Sequence, residues 1–125
     1  ADDASTYLGI ELETDDDFSQ SARTLYQQLN LKRAMVITRG SDGATLATSD
    51  QIYHCPSPDV SDVFDTVGAG DTSIALITLA LAREITPQDA VMLANYASGI
   101  VVRHVGNYTP SPSELEKSIP NDILR

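Results

Sequence analysis

The sequence predicts an α/β protein in which helices pack on a small, partial sheet. Three observations carry this prediction: an early amphipathic helix, a group of short β-prone runs, and three further helix starts in the second half of the chain. The order of helix, strand, hairpin and three helices matches part of an α/β layer rather than a complete alternating fold. We therefore expect residues 1–125 to be a portion of one domain, with further elements before residue 1.

The first predicted helix begins after a polar and acidic segment. Thr14 is a suitable capping residue, and the three aspartates that follow it suit the positive end of a helix dipole. Phe18, Ala22 and Leu25 then recur at helical spacing. This pattern predicts a helix over residues 15–29.

Three short β-prone runs come next. The run AMVIT ends at the turn RGSDG, residues 39–43, whose two glycines indicate a tight turn. The other two runs flank the polar pair Ser49 and Asp50, which predicts a hairpin. The predicted strands cover residues 34–38, 44–48 and 51–54.

The second half of the chain predicts three helices. Apolar residues run nearly all round the segment 70–83, as expected of a helix that is covered on several sides. Thr86 and Ser111 are N-cap residues, and each precedes a Pro and an acidic residue in the first turn. We expect the helix after Thr86 to end near Gly106 and the helix after Ser111 to end before Pro120.

Charge and composition argue against several classes of function. The chain carries 18 acidic and 8 basic residues, a net charge of -10, so no nucleic-acid or anionic-membrane partner is expected. No apolar run approaches the roughly 18 residues of a membrane span, and no targeting segment is visible. Cys55 is the single cysteine, which fits a cytoplasmic location. His54 and His104 lack the paired spacing of metal ligands.

The segment GAGD, residues 68–71, lies between a predicted loop and a predicted helix. Its small residues allow a ligand to approach the backbone, and the N–H groups of a first helical turn point outward, which is typical of an anion site. An Asp beside a bound phosphate is unfavourable alone, because like charges about 4 Å apart repel by about 4 kcal/mol at an effective dielectric of about 20. Proton abstraction from an attacking hydroxyl would give Asp71 a purpose.

Local physics leaves other interpretations of this segment open. It nearly matches the dinucleotide fingerprint, but Ser73 occupies the third glycine position and no strand leads directly into Gly68. A P-loop is excluded, because the chain contains no Gly-Lys-Ser/Thr. A plain loop in which Asp71 caps the helix accounts for the residues as well as a functional site does.

The run DTVGAGDT, residues 65–72, resembles the second signature of the ribokinase/PfkB carbohydrate kinases. The stretches VITRGSDG, residues 36–43, and ANYASGIVV, residues 94–102, are also similar to that family. Together with Gly106 they are most similar to its heptose phosphate kinase branch. One departure is Leu76, where the family usually has a small residue.

The resemblance implies the C-terminal part of a ribokinase-like three-layer fold and a defined chemistry. The γ-phosphate of Mg-ATP would pass to a sugar hydroxyl, with a heptose phosphate as the acceptor. Asp71 would be the catalytic base, and the backbone around Gly68, Ala69 and Gly70 would form the anion hole. Asp65 and Thr66 would help to bind a monovalent cation such as K⁺. Nucleotide contacts are implied for Arg39, Gly40, Gly43, Asn95 and Ser98.

Purely structural roles remain as alternatives for several of these residues. A buried Asn or Ser on a helix commonly satisfies a neighbouring backbone group, and an Arg in a turn is commonly solvated. The family's sugar site lies in the N-terminal half, which has no match here, so we expect weak nucleotide binding and no phosphorylation by these residues alone. An exposed core face could then drive assembly into a homo-oligomer. A non-catalytic, nucleotide-sensing or partner-binding module is the other hypothesis.

Overall fold

The chain combines helices with a small antiparallel sheet, which is the α/β class that the sequence predicts. The computed structural model describes residues 1–121 and divides the chain into two units, Ala1–Pro56 and Ser57–Arg125. Each unit is described by itself. The elements in chain order are α1 (Asp2–Leu8), α2 (Asp15–Gln28), β1 (Met35–Thr38), β2 (Ala44–Ala47), β3 (Ile52–Cys55), α3 (Ala69–Ala82), α4 (Pro87–Val101) and α5 (Pro112–Ser118).

Helix α2 begins where its capping signal predicts. The Thr14 hydroxyl accepts a hydrogen bond from the Asp17 amide at 3.2 Å, and the Asp17 carboxylate accepts one from the Thr14 amide at 2.8 Å. The Thr14 amide and the Thr14 hydroxyl both donate to the Asp17 carboxylate, and these bonds lower the pKa of Asp17. The reciprocal pair satisfies two amides that the first helical turn leaves without partners. The buried face of α2 comprises Phe18, Ser21, Ala22 and Leu25.

The sheet of the first unit has the order β1-β2-β3, with both pairs antiparallel. Leu46 on the middle strand pairs with Val36 on one side and Tyr53 on the other, and its side chain is fully buried. The predicted hairpin is confirmed: its first strand ends one residue earlier than expected, and its second strand is shifted by one residue. The core cluster of this unit consists of Ala4, Phe18, Ala22, Leu25, Ile37 and Ala47.

Helix α1 is absent from the sequence-based prediction. Asp2 and Asp3 lie in its first turn, where they complement the helix dipole, and Gly9 ends it with a left-handed φ of 67°. Ala4 is its buried residue and joins the core cluster. Leu8 at the end of α1 also packs against this cluster, so two small apolar contacts hold a helix whose acidic start gave no signal.

Helix α3 is less covered than its apolar sequence predicts. Within the described residues its buried side chain is Ala80, whereas Ile74 is 70% and Leu79 is 59% exposed. The expectation of a helix covered on several sides is therefore wrong for this chain, in which α3 packs against α4. No helix among residues 1–121 combines the length and apolar character needed to cross a membrane.

Helix α4 ends at Val101 rather than near Gly106. The carbonyl of Val102 accepts hydrogen bonds from the amides of Phe64 and Asp65, at 2.8 and 3.2 Å. The amide of Gly106 donates to the side chain of Asp65 instead of to that carbonyl. A continued helix would need the 102–106 backbone bond that these contacts replace.

Truncating Leu46 tests the core of the first unit. We expect Leu46→Ala to lower the free energy of unfolding by about 2–5 kcal/mol, because it removes a fully buried side chain and leaves a cavity. Urea unfolding followed through the amide signals of β1–β3 measures the change. Leu29→Ala is the control, since Leu29 is 47% exposed and should cost far less. Equal losses from the two substitutions would contradict this account of the core.

Candidate active site

The loop that leads into α3 places its backbone amides for an anion. Gly68 is the N-cap residue, with φ 82° and ψ -6°. The amide of Ala69 donates to the Thr66 carbonyl at 3.3 Å. Among residues 1–121, the amides of Gly70 and Asp71 find no protein acceptor, and no side chain caps the helix. Two directed donors at the positive end of a helix are therefore available to a ligand.

Gly68 is required by two separate constraints. Its positive φ belongs to the left-handed region, which residues with a Cβ adopt at a cost. A Cβ at this position would also lie 3.3 Å from the side-chain oxygen of Asn107. The exposed side chain of Asn107 would have to shift by a few tenths of an ångström to admit it, so the left-handed backbone is the stronger of the two constraints.

Asp71 lies in the first turn of α3 and is exposed. Its carboxylate makes no hydrogen bond or ion pair within the part of the chain that the structure describes. This finding argues against the interpretation in which Asp71 caps the helix, because a capping carboxylate would accept a backbone amide. The carboxylate is instead a free proton acceptor next to two free amide donors.

Asp65 holds the loop in this shape. One of its carboxylate oxygens accepts the amide of Val67 at 3.0 Å, and the other accepts the amide of Gly106 at 2.9 Å. Both bonds favour the ionised form, so the pKa of Asp65 lies below its ordinary value. The carboxylate thus ties the start of the signature loop to a segment 41 residues later in the chain.

Ser98 joins α4 to the first turn of α3. Its hydroxyl lies 2.6 Å from the hydroxyl of Ser73 and donates to the Ala69 carbonyl at 3.2 Å. Asn95 lies three residues earlier on α4 and is half-buried. The observed bonds give Ser98 a bracing position beside the anion loop, while a nucleotide contact of Asn95 or Ser98 stays a prediction.

Close packing around α4 depends on its small residues. Ala90, Ala94 and Ala97 are fully or almost fully buried. A Cβ at Gly99 would lie 2.9 Å from the ring of Pro58, closer than real contacts allow. The small side chains let neighbouring backbone approach the helix that carries Ser98.

A second cluster near the loop, formed by His104, Tyr108, Ser111 and Glu114, was missed from the sequence. The rings of His104 and Tyr108 stack at 3.5 Å between centroids. The Tyr108 hydroxyl donates to Glu114 at 2.6 Å, which raises the pKa of Tyr108. Hydrogen bonds from Ser111 and Tyr108 lower the pKa of Glu114 to about 2. The capping sequence SPSE, residues 111–114, indicated that Ser111 and Glu114 interact. No spacing rule indicated the stacked pair of His104 and Tyr108.

The first unit contains the other predicted nucleotide contacts, Arg39, Gly40 and Gly43. Residues Gly40–Asp42 form a single 3₁₀ turn. Gly40 has φ 58°, and Gly43 has φ 84° with ψ -122°, conformations that favour glycine. The structure thus brings Asp65, Thr66, Gly68–Asp71 and Ser98 together in the second unit, and Arg39, Gly40 and Gly43 together in the first.

The comparison with protein families settles the class of the chain. A model described as pfkB family carbohydrate kinase matches residues 1–114. The chain belongs to this family. As a PfkB-family chain it is 41% identical over 105 residues to the bifunctional protein HldE of Halorhodospira halophila. It is also 43% identical over 102 residues to the HldE protein of Nitrosococcus oceani.

These matches cover most of the PfkB chain but little of its relatives. They span 83% of the chain and 22% of the Halorhodospira protein, and 81% and 21% for the Nitrosococcus protein. Two solved structures are similar in fold, each with a TM-score of 0.83. Phosphofructokinase-2 of Escherichia coli in complex with potassium is 25% identical, and the chain covers 37% of it. Arabidopsis thaliana ribokinase complexed with ribose and ATP is 22% identical, with 38% covered.

Replacing the Asp65 carboxylate tests its hold on the loop. In Asp65→Asn the side-chain NH₂ group faces an amide donor, so at least one of the two bonds is lost. We expect hydrogen exchange at the Val67 and Gly106 amides to accelerate at least roughly tenfold. Asp62→Asn, three residues earlier and exposed, is the control. Unchanged exchange at both amides would show that the loop holds its shape without Asp65.

A pH titration tests the Glu114 cluster. We expect the carboxyl carbon signal of Glu114 to titrate at about 2, and Ser111→Ala to raise the pKa more than Tyr108→Phe. The sign follows from the lowered pKa: this contribution to folding is full above the ordinary value of 4.5 and is lost as the pH falls toward about 2. Ser113→Ala is the control. A pKa near 4.5 in the unaltered chain would refute the cluster.

Proposed function

We propose that the chain is the ATP-binding and catalytic-base portion of a sugar kinase. The observation that carries this proposal is the free carboxylate of Asp71 beside the unpaired amides of Gly70 and Asp71. The sugar hydroxyl attacks the γ-phosphorus of ATP and forms a new O–P bond. The bond from that phosphorus to the bridging oxygen breaks, ADP leaves, and the hydroxyl proton passes to Asp71.

The donors of the loop suit the charge that this reaction develops. Oxygens of the transferring phosphoryl group carry negative charge, and the first-turn amides of α3 point at such a group. Within residues 1–121 no cluster of three or more metal-ligating side chains occurs. The Mg²⁺ of Mg-ATP commonly keeps several waters and binds chiefly through substrate phosphates, so it needs no protein cage.

Three further assignments belong to the proposal. Nucleotide contacts are proposed for the turn that begins at Arg39 and includes Gly40 and Gly43 in the first unit, and for Asn95 and Ser98 in the second. A monovalent cation such as K⁺ binds at Asp65 and Thr66 beside Gly106, supported by the contact of Asp65 with that glycine and by the potassium-bound structural relative. The acceptor is a heptose phosphate, supported by the sequence resemblance and the HldE matches. A cytoplasmic location is consistent with a soluble phosphorylated substrate.

The alternative is a module of the same fold that binds a partner without catalysis. The exposed apolar side chains of α3, Ile74 and Leu79, favour a partner or a second copy of the chain. Activity separates the two functions, because both retain nucleotide binding but the alternative transfers no phosphate.

The experiment joins the chain to the preceding portion of the Halorhodospira HldE kinase and measures ADP release with a heptose phosphate. We expect Asp71→Asn to lower the turnover rate by roughly 10²- to 10⁴-fold, because the general base is lost. Affinity for Mg-ATP should remain or rise, since one negative charge near the phosphates is removed. The control is Asp59→Asn, an exposed aspartate of the same unit. An undiminished rate in Asp71→Asn would refute the catalytic role.

A further inference from the structure

Arg39 is held by side-chain contacts within its own unit. One terminal nitrogen lies 2.7 Å from the Asp15 carboxylate, and the guanidinium carbon lies 4.2 Å from the ring centroid of Phe18. The other terminal nitrogen lies 3.5 Å from Thr45 and from His54. The side chain is only 11% exposed. An Arg that reaches out to solvent or to a ligand would be far more accessible.

Both main partners of Arg39 lie on one face of α2. Asp15 and Phe18 are three residues apart, which places them side by side on a helix. The guanidinium therefore receives a charge partner and a flat aromatic surface from the same element. Its Nε is buried and has no acceptor among the described residues, so the two terminal nitrogens make all of its polar contacts.

The backbone of Arg39 closes the neighbouring turn. Its amide donates to the Gly43 carbonyl at 2.8 Å, and its carbonyl accepts the amide of Asp42 at 3.1 Å. Both backbone groups of Arg39 therefore make the hydrogen bonds that close the turn. Contacts of its side chain with Asp15 and Phe18 restrict the movement of the same residue.

We propose that Arg39 is a positioning residue, which anchors the turn at residues 40–43 to α2, rather than a phosphate ligand. A phosphate would have to compete with the Asp15 carboxylate and the Phe18 ring for a guanidinium that is only 11% exposed. The assignment deepens the proposed function, in which this turn belongs to the nucleotide side.

The test compares Arg39→Ala, Arg39→Lys and Asp15→Ala, with Asp16→Ala as the matched control. Asp16 lies in the same helical turn and carries the same charge, but its carboxylate accepts from Gln20. We expect hydrogen exchange at the Arg39-position and Gly43 amides to accelerate at least roughly fivefold in Arg39→Ala and in Asp15→Ala. In the double variant Arg39→Ala with Asp15→Ala, exchange should accelerate no more than in the more strongly affected single variant, since both substitutions remove the contact between Arg39 and Asp15. Asp16→Ala should change nothing.

Binding of Mg-ATP separates anchoring from direct contact. An anchoring role predicts that Asp15→Ala weakens binding as much as Arg39→Ala does, and that Arg39→Lys fails to restore it, because Lys lacks the planar fork. If Arg39→Lys restores binding while Asp15→Ala leaves it intact, Arg39 is a phosphate ligand and the proposal is wrong. If neither the unaltered chain nor Asp16→Ala binds Mg-ATP, the proposed function fails, and the exchange rates alone test the anchoring role. If the amides of residue 39 and Gly43 exchange at the same rate in Asp15→Ala as in Asp16→Ala, the anchoring role of Arg39 is refuted.

Discussion

Two backbone amides converge on the carboxylate of Asp65, and the shape of the candidate site depends on them. The Val67 bond folds the signature loop, and the Gly106 bond brings in a distant segment. These contacts also explain why α4 ends at Val101. The Val102 carbonyl accepts the amides of Phe64 and Asp65, and the Gly106 amide donates to Asp65, so these two groups cannot bond to each other in a continued helix. The loop then enters α3 through the left-handed Gly68, and two amides of the first turn remain free for a ligand.

Each unit has a charged side chain at one of its candidate site turns. In the second unit a carboxylate binds backbone amides from two places, and in the first a guanidinium binds the face of a helix. Asp65 supplies acceptors to two loop amides directly, whereas the Arg39 side chain contacts the side chains of Asp15 and Phe18. Such anchors set the direction of nearby amides, which matters for phosphate recognition because amide donors are fixed dipoles.

The sequence predicted the elements that rest on local signals. The capping residues Thr14, Thr86 and Ser111 each accept the expected amide, so the three helix starts were correct. Errors arose where distant contacts decide the outcome. The end of α4 depends on Asp65, and the exposure of Ile74 depends on what packs against α3. Helix α1 was missed because a single buried Ala4 gives no periodic signal.

The candidate site divides in the same way between local and distant causes. The signature residues 65–72 lie on one short stretch, so the sequence alone could indicate the candidate base Asp71 and the candidate anion loop. The partners of Arg39 and the stacked pair of His104 and Tyr108 arise only when separate elements meet. Rate enhancement by positioning also requires an oriented acceptor. In the proposed function this loop would supply the proton acceptor and the anion donors, and none of its residues is assigned to the acceptor sugar.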